Sequence, residues 1–186
     1  MKSHFIVVLF VALFQVRADG EGTPAPGPVP ANVAESLRDT FGDSVKIVPV
    51  NIVLTDSEKA VIGRISTSPF ADDTLRIFTC GSADTVAGYG ILDNVMGKSR
   101  FITFLLSVGP DGAVAGVDIL VYRESHGGEI SNSAFRRQFI GRKAGDPMTP
   151  GRDIRTISGA TISSRAVTAG VSKLLAAFAL TRGRIR

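Results

Sequence analysis

Small and hydroxyl-bearing residues crowd into one segment near the carboxyl end of the chain, residues 157–165, with the sequence Ile-Ser-Gly-Ala-Thr-Ile-Ser-Ser-Arg. A helix is predicted to begin here, at Ile162. The first N–H groups of a helix have no intrahelical acceptor and lie at the positive end of its dipole, which suits a phosphate. Gly159 and Ala160 would let a ligand approach the backbone closely, and Arg165 could add a cation. The segment predicts an anion site.

The same hydroxyls also fit a plainer role. Ser158, Thr161 and Ser163 belong to the residue types that commonly cap helix N-termini, so capping and phosphate binding both stay open on the residues alone. A threonine hydroxyl needs a base, a metal or a partner enzyme before it attacks a phosphate. Because no histidine or carboxylate is adjacent to Thr161 in the sequence, we do not expect this residue to modify itself.

A second segment with chemical potential is residues 124–128, Glu-Ser-His-Gly-Gly. Its two glycines permit close approach to a flat ligand, and His126 titrates near neutral pH. A hairpin exit with a surface histidine is the alternative. A hydrolase-like triad of Ser158, His126 and an acid is a further alternative, although Ser158 lacks the Gly-x-Ser-x-Gly elbow.

Strand patterns bracketed by helices predict the elements that position these segments. They favour an α+β fold, a single compact domain with an antiparallel sheet, helices packed around it and a long C-terminal helix. Strands are expected at 45–53, 75–80, 100–108 and 113–122. Pro49 favours an edge position for the first strand, and Pro-Asp-Gly at 110–112 predicts a turn between the last two.

Apolar spacing predicts the helices and the core. The helices are expected at 32–41, at 55–63 behind a Thr55–Glu58 capping box, at 131–139 behind Ser131, and at 162–180. Tyr89 is expected to be a core side chain in a Gly-Tyr-Gly turn. The other aromatic residues expected in the core are Phe101, Phe104, Phe135 and Phe139.

Composition places the chain among globular proteins. It has 186 residues, 44% of them hydrophobic and 20% charged, which is enough for one good-sized core. The single cysteine, Cys80, excludes an internal disulfide and a multi-cysteine metal site, and we expect it to be a small buried apolar residue.

The amino terminus has the character of a targeting segment. Lys2, an apolar run at 5–14 and small exit residues predict a secretory signal peptide at 1–18, followed by a Pro/Gly-rich linker at 19–30 and a folded domain at 31–186. We therefore expect export to a periplasmic or other extracytoplasmic location. An uncleaved anchor is the alternative, although the run is shorter than the ~20 residues that span a bilayer. Without 1–18, 19 basic residues face 17 acidic ones, which gives no case for nucleic-acid binding.

Residues 158–167, Ser-Gly-Ala-Thr-Ile-Ser-Ser-Arg-Ala-Val, resemble the flavinylation motif of the FMN-binding domain family. That domain occurs in one subunit of the sodium-translocating NADH:quinone reductase and in one subunit of the Rnf electron-transport complex. Residues 109–117 resemble the family's hairpin, and residues 121–130 resemble its Glu-Thr-Pro-Gly-like loop. Further similarities, from about Asn32 to Phe178, include Gly88-Tyr89, Gly97-Lys98, Phe135, Phe139 and Gly141. Where the family usually has an acid, six residues before Thr161, this chain has Arg155, and Asp153 is the nearest acid.

The resemblance implies FMN as the cofactor, attached to the Thr161 hydroxyl through a phosphoester that a magnesium-dependent flavin transferase installs. It implies no catalytic residues and no bound metal. Tight noncovalent FMN stays open as a variant, because of Arg155. The cofactor-binding residues that it implies are Thr161, Ser158, Gly159, Ala160, Ile162, Ser163, Glu124, Ser125, His126, Gly127 and Gly128.

Two functions follow from this resemblance. One is an exported electron carrier between a membrane donor and an extracytoplasmic acceptor. The other is an FMN-binding subunit of a reductase complex. In both, FMN would supply the redox chemistry, and the chain would be an electron-transfer domain rather than a stand-alone catalyst. A binding module or hydrolase-like protein without flavin is the third alternative.

Overall fold

The computed structural model describes residues 26–66, 68–125 and 127–185. The expected signal peptide and residues 19–25 of the expected linker lie outside these residues. Residues 26–30 form neither helix nor strand, and Pro30 is the residue that precedes the first helix.

In the described part of the chain, five strands form one antiparallel sheet in simple chain order, so each strand pairs with the one before it. The first and last strands are the two edges, and Pro49 lies in the first, which confirms its edge position. The strands are β1 (Lys46–Val53), β2 (Thr74–Gly81), β3 (Val86–Met96), β4 (Phe101–Val108) and β5 (Val114–Val121).

Four α-helices among the described residues accompany the sheet and confirm the α+β class. They are α1 (Ala31–Phe41), α2 (Asp56–Ser66), α3 (Ser133–Arg136) and α4 (Thr161–Thr181). The expected capping box starts α2: Thr55 Oγ1 accepts from the Glu58 N–H at 3.2 Å, and Glu58 Oε2 accepts from the Thr55 N–H at 2.8 Å. Within the described part of the chain, none of the helices has both the length and the apolar character that crossing a membrane requires.

The helix expected at 131–139 is broken into shorter pieces. A 3₁₀ turn at Gly128–Ser131 precedes α3, and a second one at Arg137–Phe139 follows it. Asn132 caps α3 instead of Ser131, because Ser131 still belongs to the first turn; Asn132 Oδ1 accepts from the Ala134 N–H at 2.8 Å. Phe135 and Phe139 are buried as expected, and their rings meet edge to face at 5.3 Å.

Helices cover both faces of the sheet. Val33 and Leu37 of α1 are buried on one face against a cluster that includes Phe78 and Cys80. Burial raises the pKa of the Cys80 thiol to about 11, which fits the expected apolar role. α2 and α4 pack on the opposite face, where the larger core lies. Because most of α4 is buried, its N-terminus has a fixed place relative to the sheet.

A buried ion pair joins α4 to the middle of the sheet. Lys173 Nζ lies 2.8 Å from Asp93 Oδ2, and both side chains are almost completely buried. The ammonium also lies 5.0 Å from the centre of the Phe70 ring. Burial raises the pKa of the Asp93 carboxyl, and the charge of Lys173 opposes that shift. The pair therefore adds a polar contact to an otherwise apolar helix–sheet interface.

The turn expected at Gly88-Tyr89-Gly90 is wrong, because these residues lie inside β3, a strand that the sequence did not predict. A Cβ atom on Gly88 would lie 2.3 Å from the Phe41 ring, and one on Gly90 would lie 2.6 Å from Leu37. These glycines therefore allow α1 to approach the sheet. Tyr89 is buried, with its ring 4.9 Å from that of Phe178, so its core role is confirmed.

One of the four phenylalanines expected in the core is not there. Phe104, Phe135 and Phe139 are buried, but Phe101 is 53% exposed. Alternation along β4 places Phe101 on the same face as Leu105, the face of α1. Its exposure follows because α1 covers the other end of that face.

Replacing Gly88 with alanine tests the close contact between α1 and β3. We expect Gly88→Ala to lower the free energy of unfolding by roughly 1–3 kcal/mol, because the added Cβ would also lie 2.8 Å from the Val108 carbonyl oxygen, which is backbone and cannot rotate away. Urea denaturation measures this change. Gly183→Ala is the control, since nothing lies within 4 Å of that Cβ, and it should change the free energy of unfolding by less than ~0.5 kcal/mol. An equally small effect of Gly88→Ala would contradict the close contact between α1 and β3.

Candidate functional site

A cleft of about 860 Å³ opens where three backbone segments meet: the turn between β3 and β4, the loop after β5, and the start of α4. The volume is typical of small-molecule sites. The structure thus brings together the two segments that sequence analysis singled out. The described residues that line the cleft are Lys98, Ser99, Glu124, Ser125, Gly127, Gly128, Glu129, Gly159, Ala160, Thr161, Ile162 and Ser163.

A second, smaller cleft of about 490 Å³ lies between α1 and β5. Its central carboxylate, Asp118, accepts from the Ser36 hydroxyl at 2.6 Å and pairs with the Arg136 guanidinium. These polar groups satisfy one another within the fold, and the segments expected to carry chemistry lie elsewhere. The cleft at the start of α4 is therefore the better candidate.

The start of α4 leaves its first N–H groups available to a ligand. Ala160 is the N-cap residue, and no side chain of the described chain caps the helix. The first intrahelical backbone bond joins the Ser164 N–H to the Ala160 oxygen at 2.8 Å. The N–H groups of residues 161–163 precede that bond and have no intrahelical acceptor. The capping role that stayed open for Ser158, Thr161 and Ser163 is therefore not what the structure shows.

A tight turn at 157–160 presents Thr161 to the cleft. Gly159 has a φ of +82°, a conformation that favours glycine. The buried Ser164 fastens the turn, since its Oγ accepts from the Ile157 N–H at 3.1 Å and donates to the Ala160 oxygen at 2.9 Å. Thr161 is exposed, and its hydroxyl makes only a long contact of 3.4 Å to the Ile157 oxygen. Its Oγ1 is therefore accessible at the first residue of the helix.

The loop after β5 packs directly on this turn. Gly127 has a φ of +88°, and a Cβ there would lie 2.6 Å from Tyr122 Oη and 3.1 Å from Ala160 Cβ. Tyr122 Oη and Ser163 Oγ are 3.2 Å apart and share a hydrogen bond. Tyr122 therefore anchors the loop to α4. Tyr122 had no predicted role, although its place at the end of a strand beside the glycine loop was a usable signal.

Glu124 connects the same loop to the opposite wall of the cleft. Its Oε1 accepts from the Ser99 N–H at 2.6 Å and from the Arg100 N–H at 3.0 Å. These two backbone donors hold the pKa of the carboxyl below its usual 4.5, and the nearby charge of Lys98 adds to the effect. A Cβ on Gly97 would lie 2.6 Å from Oε1. The turn at 97–100 is the part of the cleft that sequence analysis did not assign to the site.

The remaining expected residues are divided between the cleft and its surroundings. Ser125, Gly128 and Ile162 line the cleft. Ser158 and Arg165 are exposed and are not among the residues that line it. His126 lies outside the described residues, so its expected role stays a prediction.

The stretch before α4 contains Arg155, which stands where the family usually has an acid, and Asp153, the nearest acid. The Arg155 backbone forms two hydrogen bonds with the Gln138 side chain, at 2.8 and 3.2 Å. Asp153 accepts from the Thr149 N–H at 2.8 Å and pairs with Arg152. Among the described residues, neither lines the cleft.

Comparison with known proteins finds a family that is similar to the part of the chain that forms this cleft. Residues 97–176 match the family described as the FMN-binding domain. This part of the chain, 80 of its 186 residues, is similar to the FMN-binding domain. All the described residues that line the cleft lie inside the matched range, and the match identifies FMN as the cofactor of this domain.

Two further similarities extend the comparison. The chain is 39% identical over 85 residues to one subunit of a proton-translocating ferredoxin:NAD(+) oxidoreductase complex from Clostridium ljungdahlii; the match covers 41% of this chain and 45% of that protein. The chain thus spans about half the length of this relative. The structure is similar to the crystal structure of Shewanella oneidensis NqrC, with a TM-score of 0.52 and 17% identity over 79% of this chain and 86% of that one. At that identity the likeness concerns the fold.

Protonation of Glu124 provides a test of the contact between the two loops. The folded pKa lies below the usual 4.5, so the stabilising contribution is fully present above that value and is lost as the pH falls through the folded pKa. We expect amide hydrogen exchange at Ser99 and Arg100, corrected for intrinsic rates, to accelerate between about pH 5 and about pH 3. Glu124→Ala should give the fast exchange at both values. Glu129→Ala serves as the control, and protection that persists in Glu124→Ala would contradict this contact.

Proposed function

We propose that this chain is an exported electron carrier that holds FMN by a phosphoester on Thr161. One observation carries the proposal. The exposed Thr161 hydroxyl stands at the first residue of a helix without a side-chain cap, inside a cleft of about 860 Å³. The N–H groups of residues 161–163 would receive the phosphate, because they sit at the positive end of the helix dipole.

The other residues of the cleft would orient the flavin. Gly127 and Gly128 leave the loop backbone open to a flat ring, and Ser125 would serve its polar edge. The hydrogen bond between Tyr122 and Ser163 holds the loop after β5 against the start of α4. Bound FMN would supply electron transfer, and the chain would fix its orientation and its reduction potential.

Attachment requires a second enzyme. The described contacts give Thr161 no base, since its hydroxyl meets only the Ile157 carbonyl oxygen and the Glu124 carboxylate is occupied by backbone N–H groups. We propose a magnesium-dependent flavin transferase that presents the flavin as a phosphoanhydride. The bond from Thr161 Oγ1 to phosphorus forms as the bond to the leaving group breaks, and the transferase takes up the hydroxyl proton. The exposure of Thr161 allows such an enzyme to reach it.

The attachment can be measured by intact-protein mass after co-expression with a flavin transferase. We expect a gain equal to FMN minus one water, and we expect Thr161→Ala to abolish it. This variant should change stability by less than ~0.5 kcal/mol, because Thr161 caps nothing. Thr156→Ala, a hydroxyl deletion five residues away and outside the cleft lining, should keep the gain. A flavin retained by Thr161→Ala would contradict the proposed position.

The setting of the carrier is also part of the proposal. The signal-like sequence of residues 1–18 supports export, so the mature protein should appear outside the cytoplasm without these residues. Cytoplasmic protein that retains Met1 would contradict export. We place its electron donor in the membrane and its acceptor outside the cytoplasm. The likeness to a component of the Clostridium ljungdahlii complex favours a second candidate, in which the chain works as the FMN-binding subunit of a reductase complex.

A further inference from the structure

Of the described residues that line the cleft, Lys98 alone carries a positive side-chain charge. It lies in the turn between β3 and β4, on a wall to which sequence analysis assigned no function. The two acids of the lining are Glu124 and Glu129. Glu124 binds the Ser99 and Arg100 N–H groups, and Lys98 is the charged lining residue of the 97–100 turn among the described residues.

The loop after β5 contacts both of the other segments that line the cleft. The loop after β5 touches the start of α4 through Gly127, where a Cβ would lie 3.1 Å from Ala160 Cβ. The same loop touches the 97–100 turn through Glu124. Lys98 and Thr161 therefore line one cleft from two segments, each of which the loop contacts. A cofactor whose phosphate is fixed at Thr161 and whose ring lies along the loop would come near the segment that carries Lys98.

Several contacts hold the turn that carries Lys98. Glu124 Oε1 binds two successive backbone N–H groups. Gly97 leaves the space for this carboxylate, since any Cβ would lie 2.6 Å from Oε1. The Gly97 N–H also donates to the Arg100 oxygen at 2.9 Å, which closes the turn. Glu124 is therefore one of the contacts that hold the backbone of Lys98 in place.

We propose that Lys98 faces the flavin ring and favours its reduced, negatively charged form, and that Glu124 is the positioning residue that keeps Lys98 there. This inference rests on the proposed function. Uptake of two electrons and one proton by the ring adds one negative charge, which a nearby ammonium stabilises. Removal of the ammonium should therefore lower the midpoint potential. Glu124 acts through the turn, although it carries a charge of its own.

The experiment is a reductive titration of flavin-loaded protein at one fixed pH near neutrality. We expect Lys98→Gln to favour the reduced form of the flavin about tenfold less than the wild type does. For a two-electron couple this corresponds to a midpoint potential about 30 mV lower. Lys98→Arg should keep the wild-type potential, because it keeps the charge. Arg100→Gln is the matched control, as Arg100 lies in the same turn but does not line the cleft. An unchanged midpoint in Lys98→Gln would overturn the role of Lys98.

Two variants of Glu124 separate positioning from direct charge. Glu124→Gln keeps an oxygen acceptor for the turn and removes a negative charge, so its midpoint should equal or exceed that of the wild type. Glu124→Ala releases the turn, and we expect it to lower the midpoint. A direct electrostatic effect would instead raise the midpoint in both variants, because both remove a negative charge. Equal upward shifts would therefore overturn the positioning role.

Amide hydrogen exchange provides a second measurement, which needs no bound flavin. In cofactor-free protein, Glu124→Ala should speed amide exchange at Ser99 and Arg100, while Lys98→Gln should leave it unchanged. If Thr161 does not accept flavin, the titration is run on noncovalently bound FMN, and the failure then concerns attachment alone. A protein that binds FMN in neither way contradicts the proposed function and this inference together.

Discussion

The contact of α4 with the sheet determines where the chemistry of this protein takes place. The helix begins at Thr161 and is buried along most of its length. Close approach to β3 and β4 depends on Gly170, where a Cβ would lie 2.7 Å from Val95 and 2.8 Å from Phe104. Lys173 adds its buried pair with Asp93. Because this interface fixes the axis of the helix, it also fixes the direction in which its first N–H groups point.

The cleft depends on that fixed helix start through a short chain of contacts. Ser164 holds the turn before the helix, Gly127 and Tyr122 hold the loop after β5 against it, and Glu124 holds the β3–β4 turn against that loop. The lining residues thus come from three segments that are distant in sequence and joined by few hydrogen bonds. Preorganised contacts of this kind reduce the free energy needed to order a site around a ligand.

The sequence predicted most of the elements, and its failures share a physical cause. Strand alternation and the Thr55–Glu58 capping box were local signals, and the structure confirms them. Gly88 and Gly90 indicated a turn because glycine favours turns; their real role, close packing under α1, is a tertiary contact that no local pattern shows. Phe101 fails for a related reason, since its exposure depends on how far α1 extends across the sheet.

The same distinction applies to the site. The segment 157–165 and the loop at 124–128 were identified from residue types alone, and the structure brings them to one cleft. The absence of a side-chain cap among the described residues could not be predicted, because Ser158, Thr161 and Ser163 all belong to capping types. The wall with Lys98 was missed because the contact that brings it there, from Glu124 to Ser99, joins residues 25 positions apart.

Peptide mapping of protein co-expressed with a flavin transferase shows which hydroxyl carries the flavin phosphate. Trypsin cleaves after Arg155 and Arg165 and releases residues 156–165, a peptide with five hydroxyl side chains. Fragmentation of that peptide assigns the added mass to one of them. We expect the flavin phosphate on Thr161, at the first residue of α4. A flavin on Thr156, Ser158, Ser163 or Ser164, or a peptide recovered without any flavin, would contradict it.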